Sequence, residues 1–431
     1  MRSRFLRFAF GFIVLAVLAP LASAQERIPT SKVLKPGDRL VIVGDSITEQ
    51  KLYSRYLEDY LTACTPQLNL WILQLGWGGE TAGGFLGRMD QDLLAFKPNV
   101  VTTCYGMNDG QYRPFDDKSI GQPYAANMKK LIDRAKVAGA TVVVGSPGAV
   151  DTKYFRNDGK AAAMYNDNLN HLQAIDQKLA QEAGLPYADV HDVMMQVMAK
   201  AKEALGDDYA VCGRDGVHPG PNGQLIMAYA FLKALGMNNL IGVISMDMSG
   251  ANQSSEGHKI LKSEPGKVTV ESSRYPFCFF GNAKEDKKSE NNPRSILPYL
   301  RFQEEFNQFV LMVRNLKAEK AKVTWGKESK TFTREQLEKG LNLAAEFPNN
   351  PFGPAFQKLD DRVRDKQEFE TQMIKNYYRA LSALAVVGGD EESTAAVNLL
   401  RKKLHEKHDK LALSVRAAVV PVEYTIEVTP E

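Results

Sequence analysis

The chain has 431 residues, 44% of them hydrophobic, so it is long enough for two or three domains with substantial cores. Its 54 Lys and Arg residues nearly balance its 51 Asp and Glu residues, which excludes a strong electrostatic preference for nucleic acid. Its four cysteines are irregularly spaced, and the absence of a CxxC motif or a His-rich cluster argues against a metal site.

The first 24 residues predict a secretory signal peptide. The basic start MRSRFLR is followed by the apolar run FAFGFIVLAVLAPLA and by ASA before Gln25. An uncleaved anchor is the alternative, but the apolar run is shorter than the roughly 20 residues of a spanning helix and Pro20 interrupts it. We therefore expect cleavage near Ala24–Gln25, export to the periplasm or beyond, and no stable membrane anchor. Export permits disulfides, and three pairings are open for Cys64, Cys104, Cys212 and Cys278.

Residues 38–237 alternate between predicted strands and predicted helices. Five strands are predicted for LVIVG, LNLWILQL, NVVTTCY, ATVVVGSP and LPYADV. The helices are predicted over residues 49–64, 85–96, 122–138, 160–183 and 222–235. This alternation predicts a parallel sheet with helices on both faces. Because such sheets bind ligands beyond the carboxyl ends of their strands, the loops that follow the strands are the first place to look for a site.

The pattern changes beyond about residue 241. A Ser- and Gly-rich stretch with runs such as KVTVES predicts a small β segment. FQEEFNQFVLMVRNL predicts a helix with an apolar stripe of Phe302, Phe306, Phe309, Val310 and Val313. KVTWGKESKTFT predicts a hairpin turning near Gly326, and Thr333 with Gln336 predicts a capping box for the next helix. Two charged amphipathic helices and a closing strand, EYTIEV, complete this C-terminal accessory region over residues 241–431.

The first strand, LVIVG, runs directly into Asp45 and Ser46 and leaves a serine at its end. A serine hydroxyl is a weak nucleophile until a base takes its proton, and that base is usually a histidine oriented by a carboxylate. Of six histidines, only His218 follows an Asp closely in a loop, GRDGVHPG, where Asp215 precedes it by three residues. The glycines and proline of this loop disfavour a helix, so both side chains can lie above Ser46.

Two more loops carry groups suited to acyl transfer, which needs hydrogen-bond donors for an oxyanion. LGWGGET follows the second strand, and its glycines let a backbone N–H approach a substrate closely. YGMNDG follows the third strand, and Asn108 there offers a neutral amide donor. Beside these donors, Trp77 and Met107 are candidate walls of the substrate pocket. For Trp77, packing beneath the loop is the alternative.

Together these segments resemble the four sequence blocks of the SGNH hydrolases, also called the GDSL esterase/lipase family. In the family's order, and each at an expected strand end, the matching residues are Gly44-Asp45-Ser46, Gly78-Gly79, Gly106-x-Asn108-Asp109 and Asp215-x-x-His218. The resemblance covers residues 38–237 and implies a flavodoxin-like three-layer α/β/α sandwich. It implies hydrolysis of esters and some thioesters without a metal or an organic cofactor. The absence of a G-x-S-x-G motif argues against an α/β-hydrolase.

By position, the resemblance implies a Ser-Asp-His triad. Ser46 would be the nucleophile, His218 the base and Asp215 the carboxylate that orients it. The oxyanion hole would combine the backbone N–H of Ser46, Gly79 and the side chain of Asn108.

Two features of the chain depart from the commonest family pattern or extend it. Gly79 is preferred over Gly78 because it directly precedes Glu80-Thr81, where many members have Gly-Asp-Thr. The segment TFTREQLEKGLNLA is similar to one that follows the catalytic domain in many secreted planctomycete-type members, which implies a C-terminal extension docked on the enzyme. A plain stabilising cap is the alternative for that extension.

The remaining histidines and the two loop aspartates are interpreted structurally. His191 follows the fifth strand and could compete as the base, but it lacks a glycine-rich loop. His171 lies within a predicted helix, as a surface or packing residue. Solvated positions are expected for the run KLHEKHDK and for His258, His405 and His408. Hydrogen bonds to loop backbone, rather than roles as acids, are expected for Asp45 and Asp109.

The sequence therefore predicts a secreted serine esterase acting on a small-molecule or polysaccharide ester. Short acyl groups such as acetyl, carried by carbohydrates, are the expected substrate class. The alternatives within the family are a lipase or lysophospholipase and a thioesterase. A glycan-binding module on an esterase scaffold is the non-enzymatic alternative, and residues 241–431 could also form an independent carbohydrate-binding domain.

Overall fold

A computed structural model of the chain describes residues 31–238, 240–280 and 288–431. The predicted signal peptide, residues 1–24, lies outside these ranges. Within them, no helix combines the length and the apolar character that crossing a bilayer requires. All four cysteines fall inside these ranges, and each is buried with its thiol unpaired.

Five parallel strands form a sheet in the first half of the chain. They are β1 (Arg39–Gly44), β2 (Trp71–Gln74), β3 (Val100–Cys104), β4 (Thr141–Gly145) and β5 (Tyr187–Ala188). Their spatial order is β2-β1-β3-β4-β5, as in flavodoxin-like folds. In this register Val41 lies beside Leu73 on one side and Val101 on the other. The strands are buried on both faces, which explains their nearly continuous apolar sequences.

Helices cover both faces of this sheet. They are α1 (Ser46–Glu49), α2 (Tyr53–Ala63), α3 (Ala82–Leu86), α4 (Met89–Asp92), α5 (Gln122–Val137), α6 (Gly159–Ala183), α7 (Val190–Leu205) and α8 (Pro221–Ala234). Alternate side chains of β1 enter two separate cores, with Leu40 and Ile42 in one and Val41 and Val43 in the other. The three-layer α/β/α class is confirmed.

Two helices differ from their predicted bounds, and a third was missed. The helix predicted over residues 49–64 is divided between α1 and α2, because Lys51 adopts a φ of +56°. The helix predicted over residues 85–96 is also broken, since α3 ends at Leu86 with Gly87 as its cap and α4 begins at Met89. Helix α7 was not predicted at all.

The region beyond residue 240 forms two further sheets. Its strands are β6 (Leu240–Asp247), β7 (Gln253–Ser254), β8 (His258–Glu264), β9 (Lys267–Ser272), β10 (Gln308–Arg314), β11 (Lys320–Trp325), β12 (Glu328–Thr333), β13 (Leu341–Asn342) and β14 (Val422–Pro430). One sheet has the order β13-β10-β6-β7, and the other has the order β12-β11-β14-β9-β8. The helices are α9 (Phe302–Phe306), α10 (Arg334–Lys339), α11 (Leu343–Glu346), α12 (Gly353–Gln372), α13 (Tyr378–Gly388) and α14 (Glu391–Arg416).

One predicted helix of this region is wrong. The segment predicted as one helix is helical only over α9 and continues as strand β10, which pairs in parallel with β6. Phe309, Leu311 and Val313 are fully buried and alternate with more exposed residues, so the period of two decides the structure there. The predicted hairpin is confirmed as β11 and β12, and the capping box of Thr333 and Gln336 is present. The closing strand β14 lies between β9 and β11 in the middle of its sheet.

Side chains of the C-terminal helices complete the hydrogen bonds of the edge strand β2. Lys366 Nζ donates to the carbonyl of Ile72 at 3.0 Å, and the N–H of Gln74 donates to Glu370 at 3.1 Å. Arg416 donates to the carbonyl of Leu70 at 2.9 Å. An exposed edge would invite pairing with another chain, so α12 and α14 protect this side of the sheet.

The same helices bring a buried cluster of charged groups against α2. Lys366 is fully buried and contacts Glu58 at 3.1 Å and also Glu370. His408 Nε2 lies 2.6 Å from Glu370. Burial raises the pKa of Glu58 to about 7. Burial alone would also raise the pKa of Glu370, but Lys366 and His408 hold that pKa below its usual value.

Two histidines expected at solvated positions are buried instead. His408 is fully buried in the charged cluster, and its run KLHEKHDK is therefore not a purely solvated face. His258 bonds Ser272 Oγ at 2.7 Å through Nδ1 and the carbonyl of Ile241 at 3.0 Å through Nε2. Both ring nitrogens of His258 thus replace water with protein partners, which makes its burial tolerable. His405 is half-buried and stacks on Phe96.

We predict that Lys366→Met lowers the free energy of unfolding by about 3–5 kcal/mol, because it leaves two buried carboxyl groups without their cation. Urea denaturation followed by tryptophan fluorescence measures this change. The matched control is Lys178→Met. The Lys178 side chain is 75% exposed and lies 3.9 Å from Glu182, so this change should shift the free energy of unfolding by less than about 0.5 kcal/mol. Equal free energies of unfolding in the two variants would show that the buried cluster makes no net contribution to stability.

Candidate active site

The loops that follow β1, β2 and β3 meet at one edge of the parallel sheet, as do the residues that precede α8. Backbone and side-chain hydrogen bonds join neighbouring loops there. The N–H of Trp77 donates to the carbonyl of Gly44 at 3.0 Å, and Asn108 Nδ2 donates to the carbonyl of Glu80 at 3.0 Å. The structure therefore brings together the four sequence segments that carry the predicted site residues.

Ser46 lies at a tight turn between β1 and α1. It is the first residue of α1, and Asp45 caps this helix by accepting the N–H of Ile47 at 2.9 Å. The turn needs glycine at position 44, because a Cβ there would lie 2.1 Å from Thr48 Oγ1 and 2.9 Å from the carbonyl oxygen of Cys104. The serine is thereby held at the end of the strand with its hydroxyl directed at the histidine loop.

Ser46, His218 and Asp215 form one continuous hydrogen-bonded chain. Ser46 Oγ lies 2.8 Å from His218 Nε2, and His218 Nδ1 lies 2.6 Å from Asp215 Oδ2. Asp215 Oδ1 accepts the N–H groups of Val217 and His218, each at 2.9 Å. Partial burial raises the pKa of Asp215, but these hydrogen bonds outweigh burial and lower it below its usual value. The carboxylate therefore stays ionised and holds the imidazole.

Asp151 anchors the loop that carries Asp215 and His218, and sequence reasoning missed it. Its fully buried carboxylate accepts the N–H of Val211 at 2.9 Å and the ammonium of Lys202 at 2.8 Å. The N–H of Asp151 also donates to the carbonyl of Gly216 at 2.8 Å. An aspartate in the loop that follows the fourth strand was the available signal, but its partner Lys202 lies on α7, which the sequence did not predict.

The loop after β2 uses nearly all of its backbone donors. The N–H of Gly78 donates to Glu49 Oε2, and the N–H of Glu80 donates to the carbonyl of Trp77 at 3.2 Å. Within the described part of the chain, the N–H of Gly79 has no acceptor. Gly79 has a φ of +74°, and a Cβ placed on it would meet no atom within 4 Å. This glycine thus offers a free donor beside open space.

Asn108 is held by two partners. Its Nδ2 bonds the carbonyl of Glu80, and its Oδ1 accepts the hydroxyl of Tyr112 at 3.1 Å. Tyr112 stacks on Tyr165 with ring centroids 5.0 Å apart. These contacts fix the amide plane and leave the second hydrogen of the NH₂ group available. Tyr112 is a supporting residue that the sequence did not single out.

Buried carboxyl groups support the loops around Ser46. Asp109 accepts the N–H of Ala82 at 3.1 Å and that of Gly106 at 3.1 Å, as expected for a loop support. Burial raises the pKa of Asp45 to about 7 and that of Asp109 to about 6, against the lowering effect of their backbone N–H partners. The bonds of Asp45 and Asp109 to loop backbone confirm the expectation from the sequence.

Glu80 occupies the position at which many SGNH hydrolases have aspartate. Its carboxylate forms two 2.6 Å hydrogen bonds with the guanidinium of Arg88 and accepts the Tyr105 hydroxyl at 2.9 Å. Because Arg88 also donates to the carbonyl of Leu75, the longer acid is tied to the end of β2. The main-chain carbonyl of Glu80 is then in place to orient Asn108.

The two candidate pocket residues have different positions. Trp77 is half-buried, and its ring lies 5.1 Å from the guanidinium of Arg88 and 5.0 Å from the ammonium of Lys375. Met107 is only 1% exposed and belongs to the hydrophobic core. Met107 therefore presents no open surface for a substrate, whereas an edge of Trp77 remains accessible.

The competing histidines lie away from the serine. His191 is buried on α7, where Nδ1 bonds the carbonyl of Gly148 at 3.0 Å. His171 is about half-exposed on α6 and stacks on Phe115. Both keep the structural interpretations expected of them. Among the described residues, no group of three or more His, Cys, Asp or Glu side chains is arranged to hold a metal ion.

Comparisons with known proteins identify relatives of the parallel-sheet half of the chain. The sequence profile of the GDSL-like lipase/acylhydrolase family matches residues 42–226. An acetylxylan esterase from Geobacillus stearothermophilus is 23% identical over 221 residues, which span 46% of this chain and 94% of that enzyme. The crystal structure of Axe2, an acetylxylan esterase from the same organism, covers 47% of this chain and 96% of its own at 20% identity, with a TM-score of 0.39.

A solved structure also resembles the C-terminal region. BT4096, described as a gut microbial diltiazem-metabolizing enzyme, aligns with a TM-score of 0.73 at 20% identity, over 92% of this chain and 98% of that one. The two chains therefore share a fold that includes both the parallel sheet and the two C-terminal sheets. Residues 42–226 of this chain belong to the GDSL-like lipase/acylhydrolase family, and the chain is an ester-hydrolysing enzyme.

Proposed function

We propose that the chain hydrolyses carboxylic esters through a Ser-Asp-His triad and an acyl-enzyme intermediate. The single observation that carries this proposal is the continuous chain from Ser46 Oγ through His218 to Asp215, at 2.8 Å and 2.6 Å. Ser46 Oγ attacks the ester carbonyl carbon while His218 Nε2 takes its proton. The same proton passes to the departing alcohol, and a water molecule then attacks the acyl group with His218 again as the base.

The oxyanion is stabilised by three N–H donors in this proposal. They are the backbone N–H of Ser46 at the start of α1, the backbone N–H of Gly79 and the side-chain amide of Asn108. Support comes from the hydrogen-bond pattern, since the N–H of Gly78 is bound to Glu49 whereas that of Gly79 is unengaged among the described residues. Preorganised donors of this kind lower the barrier because they need no reorganisation as the charge develops.

The proposed substrates are esters of short acyl groups, with acetyl groups on carbohydrates as the leading class. Support comes from the acetylxylan esterase to which this chain is 23% identical over 221 residues. We also propose that the enzyme is exported after cleavage near Ala24–Gln25, because the first 24 residues have the composition of a signal peptide. Intact mass of the protein recovered from the producing cells tests that cleavage.

We predict that Ser46→Ala lowers kcat for p-nitrophenyl acetate by about 10⁶-fold, because no other group can form the acyl-enzyme. A fluorophosphonate probe should label the wild-type protein and not the variant. Ser273→Ala, a change at an exposed serine, is the control and should keep both labelling and turnover. A wild-type protein that neither reacts with the probe nor turns over esters would instead favour the glycan-binding alternative.

The two aspartates beside the serine and the histidine should behave differently. Asp215→Asn should lower kcat by about 10⁴-fold, because the imidazole loses the carboxylate that fixes its tautomer. Asp45→Asn should keep most of its turnover, since an amide oxygen can still accept the N–H of Ile47. Equal losses of kcat in the two variants would contradict this assignment.

Asp45 should also give the stability of the enzyme a specific pH dependence. Its folded-state pKa of about 7 lies above the ordinary value of 3.8, so the folded state holds a proton that the unfolded state has released. This contribution to stability is full below about pH 4 and is lost as the pH rises through about 7. Unfolding midpoints measured from pH 4 to 8 should therefore fall more steeply in the wild type than in Asp45→Asn.

A series of p-nitrophenyl esters should separate the substrate classes. We expect kcat/KM to be highest for acetate and to fall steadily through butyrate, octanoate and palmitate. The highest value for palmitate would favour a lipase, and preference for an acetyl thioester over the matching oxygen ester would favour a thioesterase. Release of acetate from acetylated xylan, measured beside the same series, tests the carbohydrate part of the proposal.

A further inference from the structure

A chain of polar contacts joins the C-terminal helices to the glycine loop beside Ser46. Lys375 lies in the π-helical turn Met373–Tyr377, which links α12 to α13. Its Nζ donates to Glu49 Oε1 at 2.6 Å. The other oxygen of that carboxylate accepts the backbone N–H of Gly78. One carboxylate therefore receives a cation from the C-terminal region and a donor from the glycine loop.

The position of Glu49 ties this contact to the reacting groups. Glu49 ends α1, which begins with Ser46, so the nucleophile and this carboxylate share a single helical turn. Gly78, which Glu49 binds, directly precedes Gly79. The fit between the two loops is tight, because a Cβ at Gly76 would lie 2.2 Å from the backbone nitrogen of Glu49. Because the Glu49 side chain holds the N–H of Gly78, a shift of that side chain would move the peptide next to Gly79.

Lys375 also neutralises the charge of Glu49, whose carboxylate binds the residue next to the proposed oxyanion donor Gly79. An unpaired carboxylate there would repel the negative charge that develops on the substrate oxygen. Lys51, two residues after Glu49, does not neutralise that carboxylate. Its ammonium donates to the main-chain carbonyl of Glu49 and pairs with Glu368 at 3.4 Å. The cations around the neighbouring loop have acidic partners of their own, in the pairs Arg88–Glu80 and Arg379–Asp92.

A second contact from the same segment reaches the glycine loop. The ring of Trp77 lies 5.0 Å from Lys375 Nζ and 5.3 Å from the guanidinium of Arg379, within the range of cation–π attraction. Lys375 could therefore act on the loop through Glu49, through Trp77, or through both. The experiment must separate these routes.

We propose that Lys375 is a positioning residue for ester hydrolysis. By holding and neutralising Glu49, it keeps the N–H of Gly79 directed at the oxyanion. The C-terminal region thus takes part in turnover, although it contributes no member of the triad. This inference rests on the proposed function, because it requires the oxyanion to form at Gly79.

The test is a double-mutant cycle in which kcat and KM are measured with p-nitrophenyl acetate. Lys375→Met should lower kcat about 10-fold, less than the full loss of an oxyanion donor, with little change in KM. Glu49→Gln keeps an oxygen for the N–H of Gly78 and removes the charge. Adding Lys375→Met to Glu49→Gln should therefore leave kcat unchanged. Lys375→Arg should restore most of the turnover because it keeps the cation.

Matched controls set the scale of these effects. Lys403→Met removes a lysine of α14 that pairs with Glu406 of its own helix at 2.8 Å, and it should keep wild-type kcat. Asn108→Ala, which removes a proposed oxyanion donor, should lower kcat by about 10²–10³-fold. Unfolding midpoints of all variants show whether any loss of kcat reflects unfolded protein. Lys375 is 29% exposed, so its replacement leaves no buried cavity.

Two results would overturn the inference. One is a wild-type kcat in Lys375→Met, and the other is the same fractional loss of kcat with and without Glu49→Gln. The second result would mean that Lys375 acts only by packing on Trp77. Ser46→Ala in the same assay shows whether the inference about Lys375 fails alone or together with the proposed function. Wild-type turnover by Ser46→Ala overturns both, whereas an inactive Ser46→Ala beside an additive cycle overturns the inference alone.

Discussion

The unpaired edge of strand β2 is the constraint on which the two halves of the structure depend. One side of β2 pairs with β1, and the other side has backbone groups that need partners. Lys366, Glu370 and Arg416 supply those partners with their side chains. Because the lysine and the glutamate are buried, each must also be neutralised, and α2 and α14 contribute the groups that do so. The C-terminal helices therefore belong to the core of the enzyme.

The same edge determines how the site is supported. The chain leaves β2 and enters the glycine loop immediately, so helices that hold β2 also lie beside that loop. Lys375, a few residues beyond Glu370, reaches Glu49 and the ring of Trp77. On the opposite side of the site, Asp151 and Lys202 hold the histidine loop through buried contacts. On both sides the loops of the site are held by side chains from long helices, Lys366 and Glu370 of α12 and Lys202 of α7, which favours a preorganised site.

Much of the parallel-sheet unit could be predicted from local patterns, because its strands are short apolar runs that end in glycine-rich loops. Such runs have one structural solution when helices alternate with them. Prediction failed where two periods overlap, because Phe309 and Val313 belong both to the predicted helical stripe and to the alternation of a strand, and only the pairing with β6 selects the strand. It failed for His258 and His408 as well, since polar side chains far along the chain cannot be matched to their buried partners from sequence. Met107 was also misjudged as a pocket wall, because a loop residue next to a candidate donor can still pack its side chain into the core.

The sequence by itself determined the five strands of the parallel sheet and most of the helices between them. It also identified Ser46, Asn108, Asp215 and His218 at or near loops that meet at one edge. It could do so because each of these residues is specified by its immediate neighbours. Only the tertiary structure decided which glycine keeps a free N–H, since that depends on Glu49 occupying Gly78. The role of the C-terminal helices was likewise decided in three dimensions, because contacts such as Lys366 with Glu58 join residues about 300 positions apart and no local pattern encodes them.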